Sequence, residues 1–217
     1  MQPAAPAITQ PNTSKQVNPA RIRQKKIREF IEEHRLYQLK DFAQLQSFSR
    51  ADPAIATFHH HTKTFLVKKD IETVWQAYKT LHPKDAWGNG MLSFGLQYSK
   101  RKNALSYVDD AYDGAEVGQI VLINLALLGG LVNIAVGHEI TAVNEAEKYL
   151  ETCYLTHGKS AGSQQIRLQS TPEGFTEITH HTIYKSDSPF RDKMLYPFLH
   201  TLAITTFHRN IKRHIMR

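Results

Sequence analysis

The stretch SPFRDKMLYPFLHTLAITTFHRNIKR (188–213) opens with Ser188-Pro189, an N-cap residue followed by proline at the first helical position. Leu195, Phe198, Leu199 and Leu202, and later Thr206, Phe207 and Ile211, recur at helical spacing and form a broad apolar stripe. Pro197, eight residues in, has no amide hydrogen to donate, so it predicts a kink rather than an end. An amphipathic helix of this length needs a surface against which to bury its stripe.

The preceding residues supply that surface as strands. Val117–Leu128 and Leu131–Val143 flank Gly129-Gly130, Lys148–Leu155 and Ser163–Ser170 flank the segment 157–162, and Phe175–Lys185 follows the turn Pro172-Glu173-Gly174. Connections this short imply an antiparallel meander rather than βαβ units. The most apolar run, QIVLINLALLGGLVNIAV (119–136), is near the lower length limit for a membrane span and is interrupted by Asn124, Gly129-Gly130 and Asn133. It reads as two buried strands around a Gly-Gly turn.

Upstream, TFHHHTKTFLV (57–67) has the period of a strand, and Asp70 then caps a helix whose inner face is Ile71, Val74, Trp75 and Tyr78. HPKDAWGNG (82–90) is loop-like, with Trp87 as an anchor into the core. Leu92–Tyr98 is apolar without a clear period. Lys100–Asn103 reads as a charged turn, and Tyr107–Gly114 as an acidic loop. At the N-terminus, residues 1–17 are rich in Pro, Ala, Gln and Thr and read as a flexible tail. Asn18-Pro19 opens a helix to residue 35 with Ile27, Phe30, Ile31 and His34 on one side. A second short helix covers Leu36–Phe48 and stops at Ser49–Pro53. The expected organisation is a tail (1–17), a helical extension (18–56) and one α+β domain (57–217). In that domain a curved antiparallel sheet wraps around the long C-terminal helix.

The net charge of +7 over 217 residues is unevenly placed. Residues 15–35 hold seven Lys/Arg against three acids, and residues 207–217 hold four against none, so the remainder carries −1. Apolar residues at 41% argue against disorder. Few aromatics interleave with the basic residues of the first helix, which disfavours nucleic acid as a partner. A basic amphipathic helix suits peripheral contact with anionic lipid. One cysteine, Cys153, excludes an internal disulfide. Without a basic and then apolar leader, the chain is expected in the cytoplasm.

FLVKKDIETVWQAY (65–78), GHEITAVNEAEKYLETCYL (137–155) and the ending quoted above resemble the START-like, or SRPBCC, superfamily, over about residues 57–213. The resemblance implies the helix-grip fold, with a cavity between the concave face of the sheet and the last helix. It also implies a small apolar or amphipathic ligand such as a lipid, polyketide or aromatic molecule. The lining expected from this chain is Ile134, Val136, Ile140, Ile166, Leu168, Ile178, Leu195, Phe198, Leu199 and Leu202. Tyr154 and Arg167 are candidates to orient a polar group, because the guanidinium fork of Arg167 suits a carboxylate. Glu139, Gln165, His180 and Tyr184 alternate with apolar neighbours. They contact ligand if their faces are concave and water if they are convex.

Twelve histidines invite a test for catalysis and metal binding. A cyclase- or dehydratase-type enzyme using this pocket would draw its general acid or base from His138, His180 or Tyr184. In the triplet His59-His60-His61, strand alternation puts the outer two on one face and His60 on the other. His200 and His208 are eight apart on the last helix. No HExxH or other tight ligand spacing occurs, so neither a metal nor a cofactor is expected. There is no G-x-S-x-G elbow, and Cys153 reads as a small buried hydrophobe.

Overall fold

The structure, a computed structural model, describes residues 16–88, 90–156, 158, 160–186, 188 and 191–217, without the side chains of Arg191 and Leu195. The tail expected over 1–17 lies outside the described residues except for Gln16 and Val17.

Eight strands form one antiparallel sheet: β1 (His59–Val67), β2 (Leu92–Ser99), β3 (Ala104–Tyr107), β4 (Gln119–Leu127), β5 (Val132–Asn144), β6 (Tyr149–Tyr154), β7 (Ser160–Ser170) and β8 (Thr176–Ser186). Their order is β1-β8-β7-β6-β5-β4-β2-β3. The apolar run 119–136 is the β4–β5 hairpin, with register Val121↔His138, Ile123↔Val136 and Leu125↔Ile134. It turns at Leu128–Gly130, where Gly129 and Gly130 adopt positive φ. Among the described residues, no helix is long and apolar enough to cross a membrane.

Among the described residues, five α-helices accompany the sheet: α1 (Lys25–Glu33), α2 (Leu39–Ala43), α3 (Ile71–Thr80), α4 (Pro83–Ala86) and α5 (Tyr196–Ile215). Asp70 caps α3 as expected, accepting from Thr73 N at 2.9 Å. The first two residues of the strand expected at 57–67 depart from it. Thr57 closes a 3-10 turn begun at Pro53, and Phe58 caps that turn. The helix expected over 19–35 is in two pieces. Asn18 caps a single 3-10 turn, Pro19–Arg21, and the chain then extends so that Ile22 turns into the core before α1 begins. The helix expected over 36–48 shortens to α2, because residues 46–48 instead bond to the end of β6: Phe48 N donates to Tyr154 O and Thr156 N to Gln46 O.

Leu92–Tyr98 shows no clear period because β2 carries a bulge between Phe94 and Leu96. Leu92 and Phe94 join the core on the α5 side, whereas Leu96 and Tyr98 join a second core on the opposite face. The bulge is held from behind. Gln24 Nε2 donates to Phe94 O at 2.8 Å, and a Cβ on Gly95 would lie 2.9 Å from Ile27 Cγ1, so only glycine lets α1 approach this closely.

The second core makes the N-terminal segment part of the fold. Ile22, Ile27, Phe30, Ile31, Leu36, Phe42 and Leu45 pack on Leu96, Tyr98, Ile120, Leu122 and Leu155 across the convex face. The apolar side of α1 is therefore covered by the sheet. Its outward side is charged, with Lys25 and Lys26 both paired to Glu29.

On the concave side, α5 is preceded by one π turn, Arg191–Leu195, and Pro197 sits in the first turn of the α-helix, where its missing donor costs little. The stripe that α5 buries is rotated from the expected one. His200, Ile204, Phe207, His208, Asn210 and Ile211 are buried, while Phe198 is 64% and Leu202 42% exposed. Uncharged imidazoles can be buried when hydrogen-bonded, so residues that look polar in the sequence occupy the inner face.

Candidate functional site

Strand alternation sends the even-numbered residues 134–140 of β5 and 164–168 of β7 toward α5, together with the odd-numbered residues 121–127 of β4. Tyr154 lies opposite His138 on β6, and His180 opposite Ile166 on β8. From the other side α5 presents Tyr196, Leu199, His200, Ala203 and Ile204. Between these layers is a cavity of about 330 Å³, walled chiefly by Ile123, Leu125, Ile134, Val136, Leu199 and Ile204. A smaller space of about 80 Å³ lies deeper, among Tyr78, Val121, Ile140, Leu150, Ile166 and Phe207. Trp87, His138 and Gln164 border both. Trp87 is anchored as its sequence context implied, stacked on Phe207 at 4.1 Å between ring centroids. Among the described residues, no Asp, Glu, Lys or Arg lines either space.

The polar groups at this border form one connected chain. Tyr78 Oη bonds His208 Nδ1, His208 Nε2 lies 2.8 Å from His180 Nδ1, and His180 Nε2 lies 3.0 Å from Gln164 Oε1. Gln164 Nε2 reaches His138 Nε2 at 2.8 Å and Tyr154 Oη at 3.0 Å, and Tyr154 Oη bonds Tyr196 Oη. Nothing in the chain needs to be charged. Burial pushes His138 down to about 4 and His208 to about 3, and it lowers His180 and His200 well below the usual imidazole range. It also pushes the Tyr154 phenol up to about 12 and raises Tyr78 and Tyr196. At neutral pH this chain of groups is polar but uncharged.

Gln164 is the hub. Gln164→Leu would strand the His180 Nε2–H and remove the donor to two acceptors, at a cost of about 3 kcal/mol. The expected result is a melting temperature lower by roughly 6–12 °C in a chain of this size, read by thermal circular dichroism. A change below 2 °C would mean that the chain contributes little.

Of the residues singled out in the sequence, Ile134, Val136, Tyr154 and Leu199 line the larger cavity, Ile140, Ile166 and His180 the smaller, and His138 both. Leu168 and Ile178 are buried in the core on the same side, away from the lining. Tyr184 stands behind the cavity, stacked on Tyr196 at 3.7 Å, with its hydroxyl donating to Asp192 O at 3.0 Å. Arg167 and Gln165 are on the opposite face from Ile166, and the Arg167 guanidinium pairs with Glu147 at 3.2 Å. Glu139 likewise faces away and pairs with Lys100 at 2.7 Å. Phe198 and Leu202 point outward, and the Leu195 side chain is outside the described residues. In the histidine triplet, His61 faces inward to Thr201 at 2.9 Å, while His60 meets His181 on the outer face. Among the described residues, no three His, Cys, Asp or Glu side chains gather as a metal-binding set.

Gln164, Tyr196, His200, His208 and Tyr78 were not expected at the site. Gln164 shares the period-two face of Ile166 and Leu168, so alternation pointed to it, whereas Tyr196, His200 and His208 share one helical face with Ile204 but read by residue type as an outer face.

No protein-family model matches the chain, and no curated protein matches it in sequence. Solved structures do match in shape. Major latex-like protein 151 from Panax ginseng is 14% identical with a TM-score of 0.53, covering 74% of this chain and 99% of its own. Norcoclaurine synthase from Thalictrum flavum is 12% identical with a TM-score of 0.54, covering 80% and 96%. A START superfamily protein from Mycobacterium smegmatis is 14% identical with a TM-score of 0.51, covering 73% and 97%. At such identities the likeness is one of fold. With its curved antiparallel sheet closed over α5, the chain has the helix-grip fold that these structures share.

Proposed function

We propose that this protein binds a small, uncharged, mostly apolar molecule, of lipid, polyketide or aromatic type, in the cavity between the sheet and α5. The observation that carries this reading is the lining itself. Aliphatic walls enclose about 330 Å³, no described lining residue is charged, and one end is furnished with neutral hydrogen-bonding groups. Small-molecule sites combine these features. The fold also holds small aromatic molecules elsewhere: the Thalictrum flavum norcoclaurine synthase is in complex with dopamine and hydroxybenzaldehyde. The single cysteine, buried and unpaired, fits a protein of the reducing cytoplasm.

A second reading, an acid–base enzyme of cyclase or dehydratase type, rests on the convergence of His138, Tyr154 and Tyr196 at one end of the cavity. His138, at about 4, is a weak base at neutral pH, which favours binding over proton transfer. Lipid contact through α1 has less support still, since its apolar side is already packed on the sheet.

Native mass spectrometry of the purified protein, followed by solvent extraction, tests the reading. A retained molecule should be recovered unchanged. Ala203, half-buried at the cavity wall, provides the control. Ala203→Trp fills the space and is expected to weaken binding at least tenfold with unchanged far-ultraviolet circular dichroism. Binding that ignores this substitution would sink the proposal.

A further inference from the structure

Along the chain of His138, Gln164, Tyr154 and Tyr196 at the polar end of the larger cavity, the hydrogen-bond donors outnumber their acceptors among the described residues. Gln164 sets this. Its Nε2 has two hydrogens and directs one to Tyr154 Oη and the other to His138 Nε2, while its Oε1 receives the His180 Nε2–H. His138 therefore accepts on Nε2 and, being neutral, carries its proton on Nδ1. The described residues offer that Nδ1–H no acceptor.

The phenols leave a second surplus. Tyr154 and Tyr196 have two hydroxyl hydrogens and one bond between them. Whichever of the two donates, one phenolic hydrogen remains without an acceptor among the described residues. Both rings and His138 line the cavity, and the His138 and Tyr154 ring centroids are 4.7 Å apart. The far end of the chain shows no such surplus, because the Tyr78 hydroxyl has His208 Nδ1 and the His208 Nε2–H has His180 Nδ1.

We infer that the cavity selects a neutral carbonyl compound, a ketone, aldehyde or ester on an apolar body, whose oxygen takes the unused phenol and imidazole hydrogens. This inference rests on the binding reading above and gives it a chemical class. A carbonyl oxygen has two lone pairs and brings no hydrogen of its own. An alcohol adds a hydrogen to an end that already has too many. A carboxylate brings a charge to a space where no described cation meets it, so its desolvation is not offset. An ammonium is both charged and a donor. Each competitor is therefore disfavoured for a separate reason.

The test uses one skeleton with four head groups: 2-acetylnaphthalene, 1-(2-naphthyl)ethanol, 2-naphthoate and 2-ethylnaphthalene, titrated calorimetrically into the full chain at pH 7.5. The ketone should bind at least tenfold tighter than each of the other three. Its carbonyl stretch should move to lower wavenumber in the bound state, a readout that needs no variant. The paired change Tyr154→Phe with Tyr196→Phe should reduce the advantage of the ketone over 2-ethylnaphthalene at least fivefold. Retained 2-ethylnaphthalene binding would report that the cavity of the variant is intact. If the ketone and 2-ethylnaphthalene bind the native chain equally with an unshifted carbonyl stretch, or if the alcohol binds best, this inference is wrong and the binding reading stands. If none of the four binds, both are overturned.

Discussion

Acidification from pH 7 to pH 4 is expected to unfold the protein in one cooperative step. His138, His180, His200 and His208 are buried, and among the described residues none of them hydrogen-bonds to a carboxylate. Burial holds His138 near 4 and His208 near 3, with His180 and His200 also far down. In the unfolded chain each titrates at about 6.5. Below that value the unfolded state takes up protons that the native state refuses, so stability declines as the pH falls. It is complete above about 6.5 and decreases steadily down to the folded values. One group shifted as far as His138 removes about 3 kcal/mol across this window, and the other three act in the same direction, against the 5–15 kcal/mol of a typical domain. Far-ultraviolet circular dichroism against pH should give a midpoint between 4 and 6. His208→Gln, which can still donate and accept but does not titrate, should move that midpoint to lower pH. A native spectrum at pH 4 would contradict the assignment of these imidazoles as neutral and unpaired with acid.

Removal of residues 1–45 is expected to abolish the soluble fold, although the deletion touches neither the cavity nor α5. It uncovers Leu96, Tyr98, Ile120, Leu122 and Leu155, all buried beneath the N-terminal segment. At about 1.5–3 kcal/mol for each side chain returned to water, the loss is on the order of 10 kcal/mol, comparable with the whole stability of a domain. It also removes the ion pair of Arg21 with Asp110 at 2.7 Å and the bond from Asn18 N to Tyr107 Oη at 2.8 Å. The expected product is insoluble or molten, seen in the pellet on expression or by loss of near-ultraviolet circular dichroism. A soluble, cooperatively melting truncate would show instead that the convex face tolerates water.

The succession of strands was legible because the turns between 117 and 185 carry strong local chemistry. Gly129-Gly130 and Pro172-Glu173-Gly174 divide the chain where β4 meets β5 and β7 meets β8. Asp70 likewise announced α3 through its side chain. Two kinds of feature were not legible. A bulge changes parity in mid-strand, so β2 belongs half to one core and half to the other and shows no period. And burial depends on charge state as well as residue type: His200 and His208 look like an outer face until they are seen to be neutral and hydrogen-bonded, while Phe198 and Leu202 look like an inner face and are exposed. For Arg167 the limit was different. Alternation alone opposes it to Ile166 and Leu168, and its affinity for carboxylates is met outside by Glu147.

The uneven charge of the sequence also has a different meaning in the folded chain. The basic stretch near the N-terminus belongs to the outer cladding of the sheet, anchored by apolar residues that alternate with its lysines and arginines. Cladding of this kind has a mechanical effect. A wall braced from behind cannot bow to admit a guest, and the bulge at Gly95 is pinned from that side by Gln24 and Ile27. The opposite wall has no such backing among the described residues: at the π turn ahead of α5 and the tip of the β4–β5 hairpin, Met194, Leu128 and Leu131 are largely exposed, so any opening of the cavity is expected there.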